Sequence, residues 1–229
     1  MFARIAIALA KARKIDRALD IAQTLENSGN QDRAWRAIAV AFAEAGEIDR
    51  ALEIAQTLEG EWSKTLVLQN IAIPLAEAGE IERGVQLAQT FTDEESKIGS
   101  LEFIAIDLAK IGEFNRAVRV AQMIPDDWYK GRALVSIAVY LAEAGKIDRA
   151  LEIARTPAAE WYVNRALGAI AVILVRTGER DRALQIAHTI TDREQKAWAF
   201  AQIASALAEK GERERATEMV ERAIELVGL

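Results

Sequence analysis

Apolar residues recur along this chain with two nested periods. The short period is helical. Between Asp32 and Ala45 the apolar positions are Trp35, Ile38, Ala39, Phe42 and Ala45. This i, i+3, i+4, i+7 stripe predicts an amphipathic helix rather than a strand. Gly46 ends it, as expected of a residue that must turn left-handed. Ile48, Ala51, Leu52, Ala55 and Leu58 form a second stripe. Glu47 and Asp49 favour the start of that second helix through its dipole. Glu59-Gly60-Glu61 then breaks the chain. The result is a helix hairpin of roughly 14 and 12 residues.

The long period is 33. Gly46, Gly79, Gly112, Gly145, Gly178 and Gly211 fall at that spacing, and Arg13 holds the slot one period earlier. Seven repeats cover the chain as 1–31, 32–64, 65–97, 98–130, 131–163, 164–196 and 197–229, the first short by two residues. This leaves no room for a linker or a second domain within the 229 residues. One first-helix slot is Ile in every repeat: Ile5, Ile38, Ile71, Ile104, Ile137, Ile170 and Ile203. The next is always Ala, from Ala6 to Ala204, and four further on stands Leu or Phe, as in Leu9, Phe42 and Leu75. In the second helix Ala18, Ala51, Gly84, Ala117, Ala150, Ala183 and Ala216 share a slot that lets helices approach closely. One hairpin cannot bury both of its faces, so neighbours must stack. The expected fold is all-α: a right-handed α-solenoid of about fourteen helices, forming a single repeat domain.

These residues resemble the tetratricopeptide repeat. That family marks its first helix with a large, a Leu, a small and a large residue, matched here by Trp35, Ile38, Ala39 and Phe42. A Gly-x-aliphatic-acid-x-Ala segment opens its second helix, matched by Gly46-Glu47-Ile48-Asp49-Arg50-Ala51. The slots recur in every repeat, so the resemblance covers the whole chain. It departs in three ways. The period is 33 rather than 34, the late bulky residue of the second helix is Ala (Ala22, Ala55, Ala88, Ala121, Ala154, Ala187), and the boundary proline is missing. The chain is therefore similar to a variant of that family. The period also fits ankyrin repeats, but their Thr-Pro-Leu-His signature is absent. The resemblance implies a concave groove lined by first helices. Carried over slot by slot, that groove contains Arg33, Arg36, Gln69, Asn70, Glu102, Phe103, Arg132, Val135, Ser136, Arg165 and Gln202. Its arginines could grip a carboxylate or an acidic peptide.

Composition narrows the chemistry. There is no Cys, which excludes disulfides, thiolate metal sites and a Cys nucleophile. Met1-Phe2-Ala3 leads straight into a periodic segment without a signal-peptide pattern, and no apolar run is long enough to span a membrane. The expected location is the cytoplasm. A net charge of −6 argues against a non-specific nucleic-acid binder. His188, the lone histidine, sits in a slot held elsewhere by Gln or Arg and has no ligand partners at metal spacing. No catalytic motif is present. No enzyme activity, metal or cofactor is expected.

Several features stay open between packing and binding. The invariant Arg17, Arg50, Arg83, Arg116, Arg149, Arg182 and Arg215 stand in the first turn of each second helix, where a cation opposes the dipole. They either pair with an acid or a carbonyl of a neighbouring repeat or form a ladder for an acidic partner. Trp62, Trp128 and Trp161 share a slot just before the first helix. It suits a hydrophobic staple or an aromatic contact ridge. Lys64, Lys97, Lys130 and Lys196 lie among acids at a solvated edge. Pro74 should kink the third repeat's first helix, as a tolerated defect or as a change of curvature. Arg213, Glu214, Arg215, Thr217, Glu218, Glu221, Arg222 and Glu225 make the last helix a polar cap. Phe2 and part of the apolar stripe have no such cover, so the chain is either excised from a longer array or joins another molecule at that end.

The leading expectation is a non-enzymatic scaffold that presents a groove to a protein or peptide. A sensor or regulatory segment of a larger signalling protein and an engineered repeat scaffold are the alternatives.

Overall fold

The computed structural model describes residues 2–25, 28–58, 60–156 and 159–228. Met1 and Glu59 of the expected start and break lie outside the described residues. All regular structure among the described residues is helical. In chain order the helices are α1 (Phe2–Lys11), α2 (Ile15–Gln23), α3 (Ser28–Glu44), α4 (Ile48–Thr57), α5 (Glu61–Glu77), α6 (Ile81–Gln89), α7 (Glu94–Lys110), α8 (Phe114–Gln122), α9 (Asp127–Glu143), α10 (Ile147–Ala154), α11 (Glu160–Thr177), α12 (Arg180–Thr189), α13 (Arg193–Glu209) and α14 (Arg213–Val227). The odd-numbered elements are the first helices of the repeats and the even-numbered ones the second. The chain divides into two compact units, Met1–Ile111 and Gly112–Leu229. The division falls inside the fourth repeat, between its two helices.

Within the first unit α1 packs on α3, α3 on α5 and α5 on α7. Each second helix there wedges between successive first helices: α2 against α1 and α3, α4 against α3 and α5, α6 against α5 and α7. The second unit repeats the scheme. There α9, α11 and α13 pack in series, α10 and α12 fill the gaps between them, α8 lies on α9, and α14 lies on α13. The conserved slots are the cement. Ile38, Ile71, Ile104, Ile137, Ile170 and Ile203 are all 0% exposed, whereas Ile5 is 40% exposed. Burying such a side chain contributes about 1.5–3 kcal/mol, and every interior repeat repeats that contribution.

The first helices are longer than the stripe alone predicts. Those from α3 onward have 17 residues, or 18 in α11, and α3 starts at Ser28 instead of Asp32. Side-chain caps hold three of these starts, whereas Gly60 of α5 and Ala159 of α11 provide no capping side chain. Asp93, Asp126 and Asp192 stand at N-caps with extended backbone, and each side chain accepts from backbone N–H groups one turn in. Pro74 does not break α5, which keeps the 17-residue length of its counterparts. The turns between the helices of each pair run through the periodic glycines, whose φ values lie between +72° and +97°. Arg13 takes the same left-handed region at +56°.

The last helix is less polar than expected. α14 buries Ala216, Met219 and Ala223, but Val220, Ile224 and Val227 stand exposed beside its charged residues. Val220 holds the slot that is Ala in the other second helices, where a neighbour covers it.

Repeat-to-repeat polar contacts are regular. The invariant arginines reach back one repeat: Arg50 to Asp16 at 3.7 Å, Arg83 to Asp49 at 2.6 Å, Arg182 to Asp148, and Arg149 to the Asn115 side-chain Oδ1. The N-cap acid of the same helix also holds Arg50, Arg83, Arg182 and Arg215, as in Arg50–Glu47 at 2.9 Å and Arg215–Glu212 at 2.9 Å. These arginines therefore serve the inter-repeat pairing reading. A second clasp lies at the opposite edge. Glu61 accepts from the Thr92 N–H and hydroxyl and from the Asp93 N–H at 2.6–2.9 Å. In the second unit the Thr191 hydroxyl donates to Glu160. Both clasps are charge-assisted hydrogen bonds, but exposed pairs of this kind contribute only about 0–1 kcal/mol each. They fix register, while the buried Ile, Ala and Leu slots supply the cohesion.

Candidate functional site

The face that the second helices leave uncovered belongs to the first helices, and it offers a different site in each unit. In the first unit an open cleft of about 430 Å³ is lined by Ile7 and Lys11 of α1, Arg33, Arg36, Val40 and Glu44 of α3, and Asn70 of α5. Arg33 and Arg36 lie in the first half of α3, Lys11 and Glu44 close the C-terminal ends of α1 and α3, and Ile7 and Val40 supply aliphatic wall between them. The Asn70 amide is tied back to the Leu66 carbonyl at 2.5 Å, so it presents its oxygen outward as an acceptor. Gln69 lies beside it, half-buried. On α7, Phe103 is exposed but Glu102 is buried.

In the second unit the same face carries three parallel stripes. α9 presents Trp128, Arg132, Ser136 and Val139; α11 presents Trp161, Arg165, Ala169 and Val172; α13 presents Glu194, Trp198, Gln202 and Ser205. The 4, 4, 3 spacing keeps each set on one side of its helix. Arg132 lies over the Trp128 ring at 4.7 Å and the Tyr129 ring at 5.2 Å, and Arg165 lies over Trp161 at 5.1 Å. Trp128 meets Tyr129 edge-on, and Trp161 meets Tyr162 edge-on, with ring centres 4.9 Å apart in both. The Ser136 hydroxyl turns back to the Arg132 carbonyl at 3.2 Å. Val135 is buried against the neighbouring helix, so it contributes packing rather than surface.

Two glycines let these helices close up. A Cβ on Gly131 would sit 2.4 Å from Tyr162 Cδ2, and one on Gly168 would sit 3.3 Å from a ring carbon of Trp198. Tyr162 of α11 therefore lies in a notch on α9, and Trp198 of α13 lies against a notch on α11. At the slot of Gly131 the other repeats use other devices. The buried Thr65 accepts from the Ser100 hydroxyl at 3.2 Å, and the buried Asn164 donates to the Thr191 hydroxyl at 3.1 Å.

The staple reading of the tryptophans fails. Trp62, Trp128 and Trp161 lie at the second residue of α5, α9 and α11, inside the helix, because those helices start one turn earlier than the apolar stripe. A staple needs its apolar residue ahead of the N-cap. These residues are 65%, 52% and 49% exposed, and Trp198 is 50% exposed. Four of the five tryptophans thus stand at least about half in solvent. Half-exposed aliphatic residues further along these helices (Ile7, Val40, Ile73 and Ile106 in the first unit, Val139 and Val172 in the second) belong to the same face. Their signal was the 33-residue register: they recur three residues after the slot of Ala37 and Asn70.

Electrostatics at the site are mild. Burial raises the carboxyl pKa of Asp107, a half-buried residue of α7 in the slot of Ala41 and Tyr140, and nearby Lys110 partly offsets that effect. Hydrogen bonds hold Glu61 and Asp93 below the usual carboxylate range: for Glu61 the Thr92 and Asp93 N–H groups, for Asp93 the Ser96 hydroxyl and N–H. His188 is exposed. Its Nδ1 faces the Leu184 carbonyl at 2.6 Å and its ring meets Phe200 edge-on. Among the described residues no group of three or more His, Asp or Glu side chains is placed to hold a metal ion. Among them, too, no helix is long and apolar enough to cross a membrane.

No family model and no curated protein matches the chain. Among solved structures it is similar to Ton1535 from Thermococcus onnurineus NA1, at 16% identity over 99% of this chain and 89% of that one, with a TM-score of 0.30. That likeness is too low to carry an argument about either fold or function.

Proposed function

We propose that the chain is a non-enzymatic binding scaffold of tetratricopeptide-like repeats that acts in the cytoplasm. Its first-helix face takes an acidic protein or peptide segment. The observation that carries this reading is the placement of Arg33 and Arg36 together on an aliphatic-walled cleft. An arginine fork suits a carboxylate, and the apolar wall suits the stem of the residue that bears it. Stacked helices fix those groups before binding, which lowers the ordering cost.

The test is a titration of the full chain with fluorescein-labelled peptides rich in Asp and Glu, read by anisotropy. Charge reversal of Arg33 and Arg36 to Glu should weaken binding at least about tenfold, as for a truncated hot spot. A Lys-rich peptide pool should not bind. Equal binding of the parent and reversed proteins would overturn the assignment of this face.

A further inference from the structure

The second unit's exposed tryptophans are a cost that packing does not explain. A half-exposed indole leaves a large apolar area in water, and a contiguous patch of such residues marks an interaction surface. Here the rings are also held in place. Each of Trp128 and Trp161 is braced edge-on by the tyrosine that follows it and is covered on one side by an arginine of the next turn. Trp198 rests against the Gly168 notch. The result is a ladder with one ring per repeat and a guanidinium beside each of the first two.

We infer that this ladder binds an acidic peptide in the polyproline II conformation, with one turn of the peptide per repeat. The inference rests on the binding reading above and names the ligand for the second unit. The argument is one of period. Helices packed as closely as the Gly131 and Gly168 notches allow lie about 8–10 Å apart. A polyproline II chain turns once in about three residues and rises roughly 9.3 Å in doing so. Every third residue of such a chain therefore faces the next rung. A β-strand repeats its face about every 6.6 Å and a helix about every 5.4 Å, so both would slip out of register within two rungs. Proline rings stack on indole faces, which is how aromatic grooves take such peptides. The guanidiniums of Arg132 and Arg165 supply the charge complement, and both residues are exposed.

The third rung refines the motif. Glu194 holds the slot of Trp161, and Trp198 holds the slot of Arg165. An acid there would meet Glu194, while an apolar residue would meet Trp198. The ligand is thus an acidic residue, a second acidic residue three positions along, and an apolar residue three further, with prolines between. Single-stranded nucleic acid is the other ligand that stacks on aromatic rungs beside arginines. The net charge of −6 disfavours it.

The experiment titrates the full chain, followed by tryptophan fluorescence, with four probes. These are a peptide of two Pro-Pro-Glu triplets followed by Pro-Pro-Leu, the matching Gly-Gly-Glu peptide with glycine in place of every proline, a peptide of alternating Pro-Glu pairs of equal charge, and a short oligothymidylate. The Pro-Pro-Glu peptide should bind about tenfold tighter than either other peptide and shift the emission. Trp161→Ala and Arg165→Glu should each weaken it about tenfold. Both positions lie at the surface, so the variants should stay folded, with the parent's far-UV circular dichroism. Equal affinity of the Pro-Pro-Glu and Gly-Gly-Glu peptides would overturn the polyproline inference and leave acidic binding standing. Failure of every acidic peptide would overturn both readings. Tighter binding of the oligothymidylate would replace the peptide with nucleic acid.

Discussion

An alanine at Gly131 would bring its Cβ within 2.4–2.9 Å of three ring carbons of Tyr162, a buried side chain. The ring cannot move without opening the contact of α9 with α11, so Gly131→Ala should cost about 1–3 kcal/mol as overpacking. Combining it with Tyr162→Ala should recover part of that loss, because the two sites share one space. Gly46 is a glycine for another reason. Nothing lies within 4 Å of a Cβ placed there, but its φ is +80°, so Gly46→Ala costs only the left-handed backbone, about 1–2 kcal/mol. Arg13 already bears that strain at φ +56°, and Arg13→Gly should therefore stabilise the protein by up to about 1 kcal/mol. Urea unfolding of these variants separates the two causes. If Gly131→Ala is as mild as a neutral surface change, the notch is not a steric requirement.

At the scale of the helix, some boundaries were legible and others were overlooked. The second helices start where the glycine and the following Ile predict, because a left-handed turn leaves little choice. The first helices start a turn early: Asp93, Asp126 and Asp192 cap α7, α9 and α13 there, and α5 and α11 start as early without a capping side chain. The capping signal was present in the sequence but lay outside the apolar stripe used to find the helix. The same shift moved Trp128 and Trp161 from a staple position into an exposed first turn. Apolar periodicity cannot reveal this: an exposed indole and a buried one read alike in a hydrophobic pattern. The groove slots were legible only as register. Arg33, Arg36 and Asn70 do converge on one cleft, whereas Glu102 and Val135 are buried; helix phase alone does not say how deeply a neighbour covers a slot. If the capping account is right, Asp126→Ala frees the Trp128 and Tyr129 N–H groups and costs about 1 kcal/mol. It should also blunt the ladder, because it loosens the turn that carries Trp128. Asp49→Ala, by contrast, removes an exposed partner of Arg83 and should change stability by less than about 1 kcal/mol. A thermal melt that ranked Asp49→Ala above Asp126→Ala would reverse this assignment of cohesion and register.

At the scale of the whole molecule, four displaced carboxyl groups contribute to the response to pH with opposite signs. Hydrogen bonds from the Thr92 and Asp93 N–H groups lower Glu61, the Ser96 hydroxyl and N–H lower Asp93, and Arg215 with Arg180 lowers Glu212. A group whose folded value is depressed contributes stability above its unfolded value, near pH 4, and loses it as pH falls through the folded value. All three should therefore weaken the fold in acid. Asp107 has the opposite sign. Burial raises its folded value, so its penalty is absent below the unfolded value and grows as pH rises through the folded one. At neutral pH Asp107 is thus a liability. Asp107→Asn should raise the urea midpoint at pH 7 and leave it unchanged at pH 3, where the parent is already protonated. Glu61→Gln should do the reverse: a lower midpoint at pH 7 and little difference at pH 3, where the carboxylate clasp is weakening in the parent too. Midpoints for the parent and both variants, taken from pH 3 to pH 8, give curves whose differences must open with opposite signs as pH rises. If both differences open in the same direction, half-burial of Asp107 does not govern its proton, and a neighbouring cation holds it ionised instead.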